Sequence, residues 1–185
     1  MRRPRGYVGT NHETIGTDIL SVQRSLNAPE QVLPGATMEW LAGIKPDGWY
    51  PIQNLLEMMN ELDTSIGVYG LRKMGRTLFR MSHMERVKQV AHSARDIIYS
   101  LDDMYHHANR GQDIGGWKVI SFVPGKAEVD KNTPHHCAME EGILAEALEA
   151  VGVPAIVTQS QCFRSGADSC VFEVSSAIRD QRWTG

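Results

Sequence analysis

Apolar residues recur at helical spacing through the middle of the chain and at strand spacing towards its end. Asp47-Gly-Trp-Tyr-Pro51 is a helix-start signal, since proline suits a first helical turn. Ile52, Leu55, Leu56, Met59 and Leu62 then fall on one helical face. Asp63-Thr-Ser65 reads as a break and a new cap, opening a second helix to about Met81 with Ile66, Tyr69, Leu71, Met74, Leu78 and Phe79 as its apolar positions. From Ser82, Met84, Val87, Ala91, Ala94, Ile98, Leu101, Tyr105 and Ala108 alternate by threes and fours, so the spacing predicts one helix to about Asn109, roughly 38 Å long. Arg110-Gly111 ends it.

Two hairpins flank a further helix. Trp117–Val123 and Ala127–Lys131 read as strands joined by the turn Pro124-Gly-Lys126. Met139, Ile143, Leu144, Ala147, Leu148 and Val151 form a helix face closed by Gly152. A strand ending at Cys162, a loop over 163–168 and a strand over 169–174 complete the pattern. Ahead of all this, Ile15, Ile19, Leu20 and Val22 suggest a short helix within 11–26, and Thr37 caps another through Met38, Trp40 and Leu41. The order predicts an α+β fold, a helical layer packed on an antiparallel sheet of about four strands. Residues 1–45 read as an N-terminal extension with dimerisation as a candidate role, 46–176 as the principal domain and 177–185 as a tail.

Composition narrows the function. Hydrophobic residues make up 42% of the 185, enough for a core, and the net charge of -3 gives no basic field for nucleic acid. No apolar run approaches the ~20 residues that span a bilayer, and the basic start Met1-Arg-Arg-Pro-Arg5 lacks the hydrophobic stretch of a secretory signal. Three cysteines without a small-domain framework fit a reducing cytoplasm, with free or metal-bound thiols. Gly67, Gly70 and Gly75 inside a helix each cost about 1 kcal/mol relative to alanine, which implies a closely packed neighbouring element or a ligand.

All three cysteines fall in the last third of the chain, each at the end of an element. Thr133 as N-cap with Pro134 at the first position puts Cys137 in the first helical turn, where partial positive charge favours thiolate. Cys162 and Cys170 are an even number apart, so pairing 162 with 170 also pairs 160 with 172 and 158 with 174 on one face. A third thiol from the helix start makes a soft metal corner. Glu140-Glu141 point to different faces and read as first-turn charges that suit the helix dipole.

His136-Cys137, then Gly142-Ile-Leu-Ala-Glu146, then Cys162-Phe-Arg-Ser-Gly166-Ala-Asp168-Ser-Cys170-Val-Phe172, resemble the 4-vinyl reductase domain. Residues 115–175 carry the likeness. Gly70-Leu-Arg-Lys-Met-Gly75-Arg76 adds a looser match, and the first 45 residues add none. The family includes aromatic-sensing input domains and is related in fold to haem–nitric oxide binding domains and vesicle-tethering subunits. The resemblance implies a dimeric pocket domain for a small hydrophobic molecule. It also implies a structural zinc on Cys137, Cys162 and Cys170, but the family's glutamate ligand, three positions before Cys162, is Gln159 here. His135 or His136 is then the candidate fourth ligand, His136 first. Trp117 falls near a ligand-binding tryptophan of the family. For the family's ligand histidine, His83, His92, His106 and His107 compete.

The resulting expectation is a cytoplasmic, homodimeric sensor or carrier with a pocket between the long helix and the sheet, lined by Trp117, Phe122, Tyr105, His106 and His107. A partner protein would receive its signal. The alternative is a haem- or tetrapyrrole-binding gas sensor or enzyme with His106 or His107 as the axial ligand. The Tyr-x-Ser-x-Arg motif of the gas sensors is absent, as are a catalytic triad, phosphate loop and dinucleotide fingerprint, so catalysis ranks below binding.

Overall fold

A computed structural model describes residues 3, 4, 7, 9 and 11–185; the rest of the basic start lies outside the described residues. Helices α1 (Gly16–Arg24), α2 (Pro29–Val32) and α3 (Gly35–Ala42) precede the long α4 (Ile52–Ser82), followed by α5 (Met84–Val90) and α6 (Ala94–Ala108). Strands β1 (Glu13–Ile15), β2 (Trp49–Pro51) and β3 (Asn109–Arg110) form a small antiparallel sheet in the order β2-β1-β3. The second sheet, β4 (Trp117–Val123), β5 (Lys126–Lys131), β6 (Ile156–Gln161) and β7 (Cys170–Ser175), has the order β4-β5-β7-β6 and is antiparallel throughout. Helix α7 (Cys137–Ala150) connects its two hairpins, and α8 (Gln181–Thr184) ends the chain. This is the helix-on-sheet α+β architecture that the apolar pattern predicts.

Three local expectations change. The break at Asp63–Ser65 does not occur, because Thr64 and Ser65 return their hydroxyls to the carbonyls of Asn60 and Glu61 four residues back, as helical residues can. The chain leaves helical geometry at Gly67 instead, with φ 66° and ψ 179°, a backbone only glycine adopts readily. The single helix expected from Ser82 to Asn109 is two, because Ser93 and Asp96 form a reciprocal capping box that starts α6 anew. At α7 the cap is His136, whose Nδ1 accepts from the Ala138 N–H, rather than Thr133.

Two large cores and a smaller cluster around Tyr105 pack the described residues. Ile19, Val22, Leu41, Leu55, Met59, Leu62 and Leu71 pack the helical half, so α1, Leu33 and α3 lie against α4. Ile97, Ile98, Leu101, Val129, Leu148, Phe172 and Trp183 pack the space between α6, α7 and the sheet. Helix α7 joins the halves by crossing α4 with almost no separation. A Cβ on Gly75 would run into the Met139 carbonyl, and one on Gly142 into the Arg72 carbonyl. The glycine helix therefore answers to close packing at Gly75 and to a bend at Gly67. Arg72–Glu141, Arg76–Glu146 and Arg80–Glu146 ion pairs flank the crossing at 2.7, 3.0 and 2.5 Å.

Candidate functional site

The three sulfurs meet where α7 begins and the β6–β7 hairpin closes. Cys137 Sγ lies 3.2 Å from Cys170 Sγ and 3.8 Å from Cys162 Sγ, and all three fall within 4.8 Å of one another. Cys137 is the first residue of α7, with the helix's positive end behind it. Cys170 opens β7 and accepts the Phe163 N–H at 3.4 Å, so the turn Phe163–Ser165 folds over its sulfur. The register differs from the expected one. Val157 pairs with Val174 and Gln159 with Phe172, and a bulge at Ser160 then shifts the pairing to Gln161 with Val171. The bulge absorbs the one-residue slip, so the two hairpin thiols still converge.

Sequence reasoning missed the group that most distinguishes this corner. Lys131 ends β5 directly across from Cys170 and is fully buried. Its Nζ lies 3.7 Å from Cys137 Sγ, donates to the His135 carbonyl at 2.7 Å and pairs with the Glu140 carboxylate. The rings of Trp117, Phe163 and Phe172 surround it at 5.8–5.9 Å, a cation–π arrangement. Thr133 Oγ1 donates to Glu140 at 3.1 Å. Ala127 and Val129, inward on the same strand, set the alternation that carries Lys131 inside.

These neighbours set the protonation of the cluster. The Cys137 thiol is held well below its ordinary range by the hydrogen bond from Cys170, and the Lys131 ammonium adds to this against the cost of burial. Cys170 is correspondingly pushed up, by its contact with Cys137 and by burial. Burial pulls Lys131 down, and the thiols oppose that pull. Burial and then Lys131 push His135 down to about 3, leaving it neutral. Three convergent sulfurs, with the Cys137 proton the most easily lost, are the donor set of a soft or borderline ion such as zinc. Gln159 adds its side chain beside Cys137, and its buried Nε2 has no partner.

His136 does not complete this set. It faces Asp63 at 3.3 Å through Nε2 and caps α7 through Nδ1, because its backbone precedes the turn that aims Cys137 inward. Glu140 and Glu141 diverge as expected, one to Lys131 and the other to Arg72.

The five residues expected to line a pocket separate into three places. Tyr105 is buried and donates from its hydroxyl to the Ile114 carbonyl at 3.0 Å; it packs with Ile114, Trp117 and Tyr7. His106 touches the Tyr105 ring from outside, with Nδ1 at the Asp102 carbonyl. Phe122 stacks on Trp183, and His107 is exposed. Open grooves lie elsewhere, beside Gly125, Pro154 and Arg179, and beside Leu33 and Glu61. Around Tyr105 a polar set emerges that the sequence did not flag. Its ring meets His135 at 5.8 Å, and Tyr7 meets His12 at 5.0 Å. Tyr7 Oη, His12 Nδ1 and His135 Nδ1 are buried without a hydrogen-bond partner. Such atoms cost about 1–3 kcal/mol each when left unpaired.

No protein-family model matches the chain, and no curated protein matches it. Solved structures do. An H-NOX protein from S. oneidensis, a triple mutant in the Fe(II) ligation state, aligns with TM-score 0.67 at 12% identity over 91% of this chain and 99% of that one. The Fe(II) unliganded H-NOX protein from K. algicida aligns with TM-score 0.62 at 8% identity over 85% and 95%. A protein described for modulating haem redox potential through porphyrin distortion aligns with TM-score 0.65 at 10% identity over 89% and 95%. At such identities the likeness is one of fold, shared with these structures, H-NOX proteins among them, over 85–91% of this chain.

Proposed function

We propose that the chain is a small-molecule sensor or carrier domain of the 4-vinyl reductase type, built on the haem–nitric oxide binding fold, with a structural zinc at Cys137, Cys162 and Cys170. The observation that carries this reading is the convergence of three sulfurs donated by two separate elements. When bound, zinc supplies a cross-link that fastens α7 to the β6–β7 ribbon. The chain's own residues supply the rest: the α7 N-terminus favours thiolate at Cys137, the Phe163 N–H holds Cys170, and Lys131 balances charge.

The molecule sensed would be small and aromatic or hydrophobic, with a polar handle, seated near Tyr105 and Trp117 and bonded by Tyr7, His12 or His135. His106 borders this place; Phe122 and His107 do not. A homodimer that hands its signal to a protein partner completes the proposal. Among the described residues no helix is long and apolar enough to cross a membrane.

A second reading, haem binding, is favoured by the fold neighbours, whose names include Fe(II) states and porphyrin distortion. The residues present do not fit the group in the expected way. His106 and His107 are exposed, His106 is tied to Asp102, and Tyr105 occupies the inner face of α6 at that level.

Purified full-length chain decides between these. Metal analysis should give one zinc per chain, lost in Cys170→Ser, and the absorbance spectrum should lack a Soret band. Native mass spectrometry of the as-purified protein should retain an organic molecule, released by Tyr105→Ala. A folded, metal-free protein removes the zinc, and a Soret band replaces the first reading with the second. Light scattering that gives a monomer at micromolar concentration refutes the dimer.

A further inference from the structure

We infer that Lys131 is the fixed counter-cation of the three-cysteine centre, and that it lets the site hold a divalent thiophilic ion without an anionic fourth ligand. The inference rests on the zinc reading above and deepens it. A divalent ion on three thiolates carries one excess negative charge, and in this fold that charge would be sealed from water, where an uncompensated ion is expensive. A glutamate at position 159 would add a second. This chain has Gln159 there, a neutral amide beside Cys137, and a fully buried ammonium 3.7 Å from the same sulfur. Both act in the same direction: neutral Gln159 leaves a single excess negative charge at the centre, and Lys131 lies where it offsets that charge.

The surroundings of Lys131 are built to hold an ammonium in place. Glu140 pairs with it, the His135 carbonyl accepts from it, and three aromatic rings face it. Glu140 is itself held by Thr133. Its position has a consequence of opposite sign: the Glu140 carboxylate draws on the same positive charge that the thiolates use. Removing the Lys131 charge must therefore weaken the metal, and removing the Glu140 charge must strengthen it. A residue that merely filled space would give neither pattern.

The test uses the full-length chain and zinc alone, with dissociation constants from competition against a chromophoric chelator and cobalt(II) thiolate bands as a second readout. Lys131→Met should weaken zinc by about tenfold or more, from the loss of a close unit charge in a poorly solvated site. Lys131→Arg should recover most of that loss, because it restores charge. Glu140→Gln should tighten zinc several-fold. Wild-type chain that binds neither zinc nor cobalt overturns the metal reading and this inference with it. Wild-type binding that Lys131→Met leaves unchanged overturns only the role of Lys131. Should Lys131→Met fail to fold, Glu140→Gln decides: tighter binding supports the counter-cation, and equal or weaker binding overturns it.

Discussion

Gly142→Ala tests the most specific packing feature of the molecule. Alanine in a helix interior gains about 1 kcal/mol over glycine, so propensity alone predicts a more stable protein. Packing opposes it. The added Cβ would meet the Arg72 carbonyl and the Arg76 amide, which are helix backbone and cannot rotate aside. The two helices must separate, and overpacking of this kind costs about 1–3 kcal/mol. Separation also opens contacts of Leu71, Met74 and Met139 in the adjoining core and lengthens the Arg76–Glu146 pair, now 3.0 Å. With the propensity gain subtracted and the opened contacts added, the expected net loss is about 1–2 kcal/mol, or about 2–8 °C in Tm for a domain of this size. Thermal melts and urea midpoints measure it. Gly35→Ala is the control, since nothing lies within 4 Å of its Cβ position; it should be neutral or slightly stabilising. Gly142→Ala at or above wild-type stability would refute the close crossing.

Other outcomes follow from single groups. Burial alone would raise Glu146, but its bonds to Arg80 and Arg76 hold it below the ordinary carboxylate range. Its contribution is thus present above about pH 4.5 and lost as pH falls; Glu146→Gln should cost about 1–2 kcal/mol at pH 7, and that cost should shrink as pH falls further below 4.5, by urea midpoint. Asp18 is the reverse case, raised by burial to about 6. Stability should be intact below about pH 4 and decline as pH rises through 6, and Asp18→Asn should remove that decline, gaining up to about 2–3 kcal/mol at pH 7.5. Ser93→Ala deletes the capping box of α6 and should cost about 1 kcal/mol by denaturant midpoint; an unchanged midpoint would argue for one continuous helix there.

Periodicity revealed the long elements, because burial of one face imposes a repeat that many residues share. It failed at features set by two or three residues. Ser93 with Asp96 was a readable start signal hidden inside a continuing apolar stripe, and β1 is too short to show alternation. The cysteine corner was legible because each thiol stands at an element's end. Its register was not, because the bulge at Ser160 arises from the hairpin's closure and not from composition. Lys131 passed as a strand terminus, although Ala127 and Val129 place it inward by alternation. Tyr7 and His12 meet Tyr105 and His135 only through tertiary folding, and no local signal announces that.

The three-cysteine corner and the polar set around Tyr105 are not independent. Lys131 donates to the His135 carbonyl, and the His135 ring edges against Tyr105. Trp117 sits over Lys131 on one side and packs with Tyr105 and Ile114 on the other. A molecule that bonds His135 or displaces Trp117 must therefore shift the groups that hold the ammonium, and the ammonium faces Cys137. From the Tyr105 set to Cys137 at the start of α7, the line of contacts is two residues long: His135 or Trp117, then Lys131. Beyond it, α7 bears directly on α4 at Gly142 and Gly75, where rigid backbone on both sides leaves little slack to absorb a displacement.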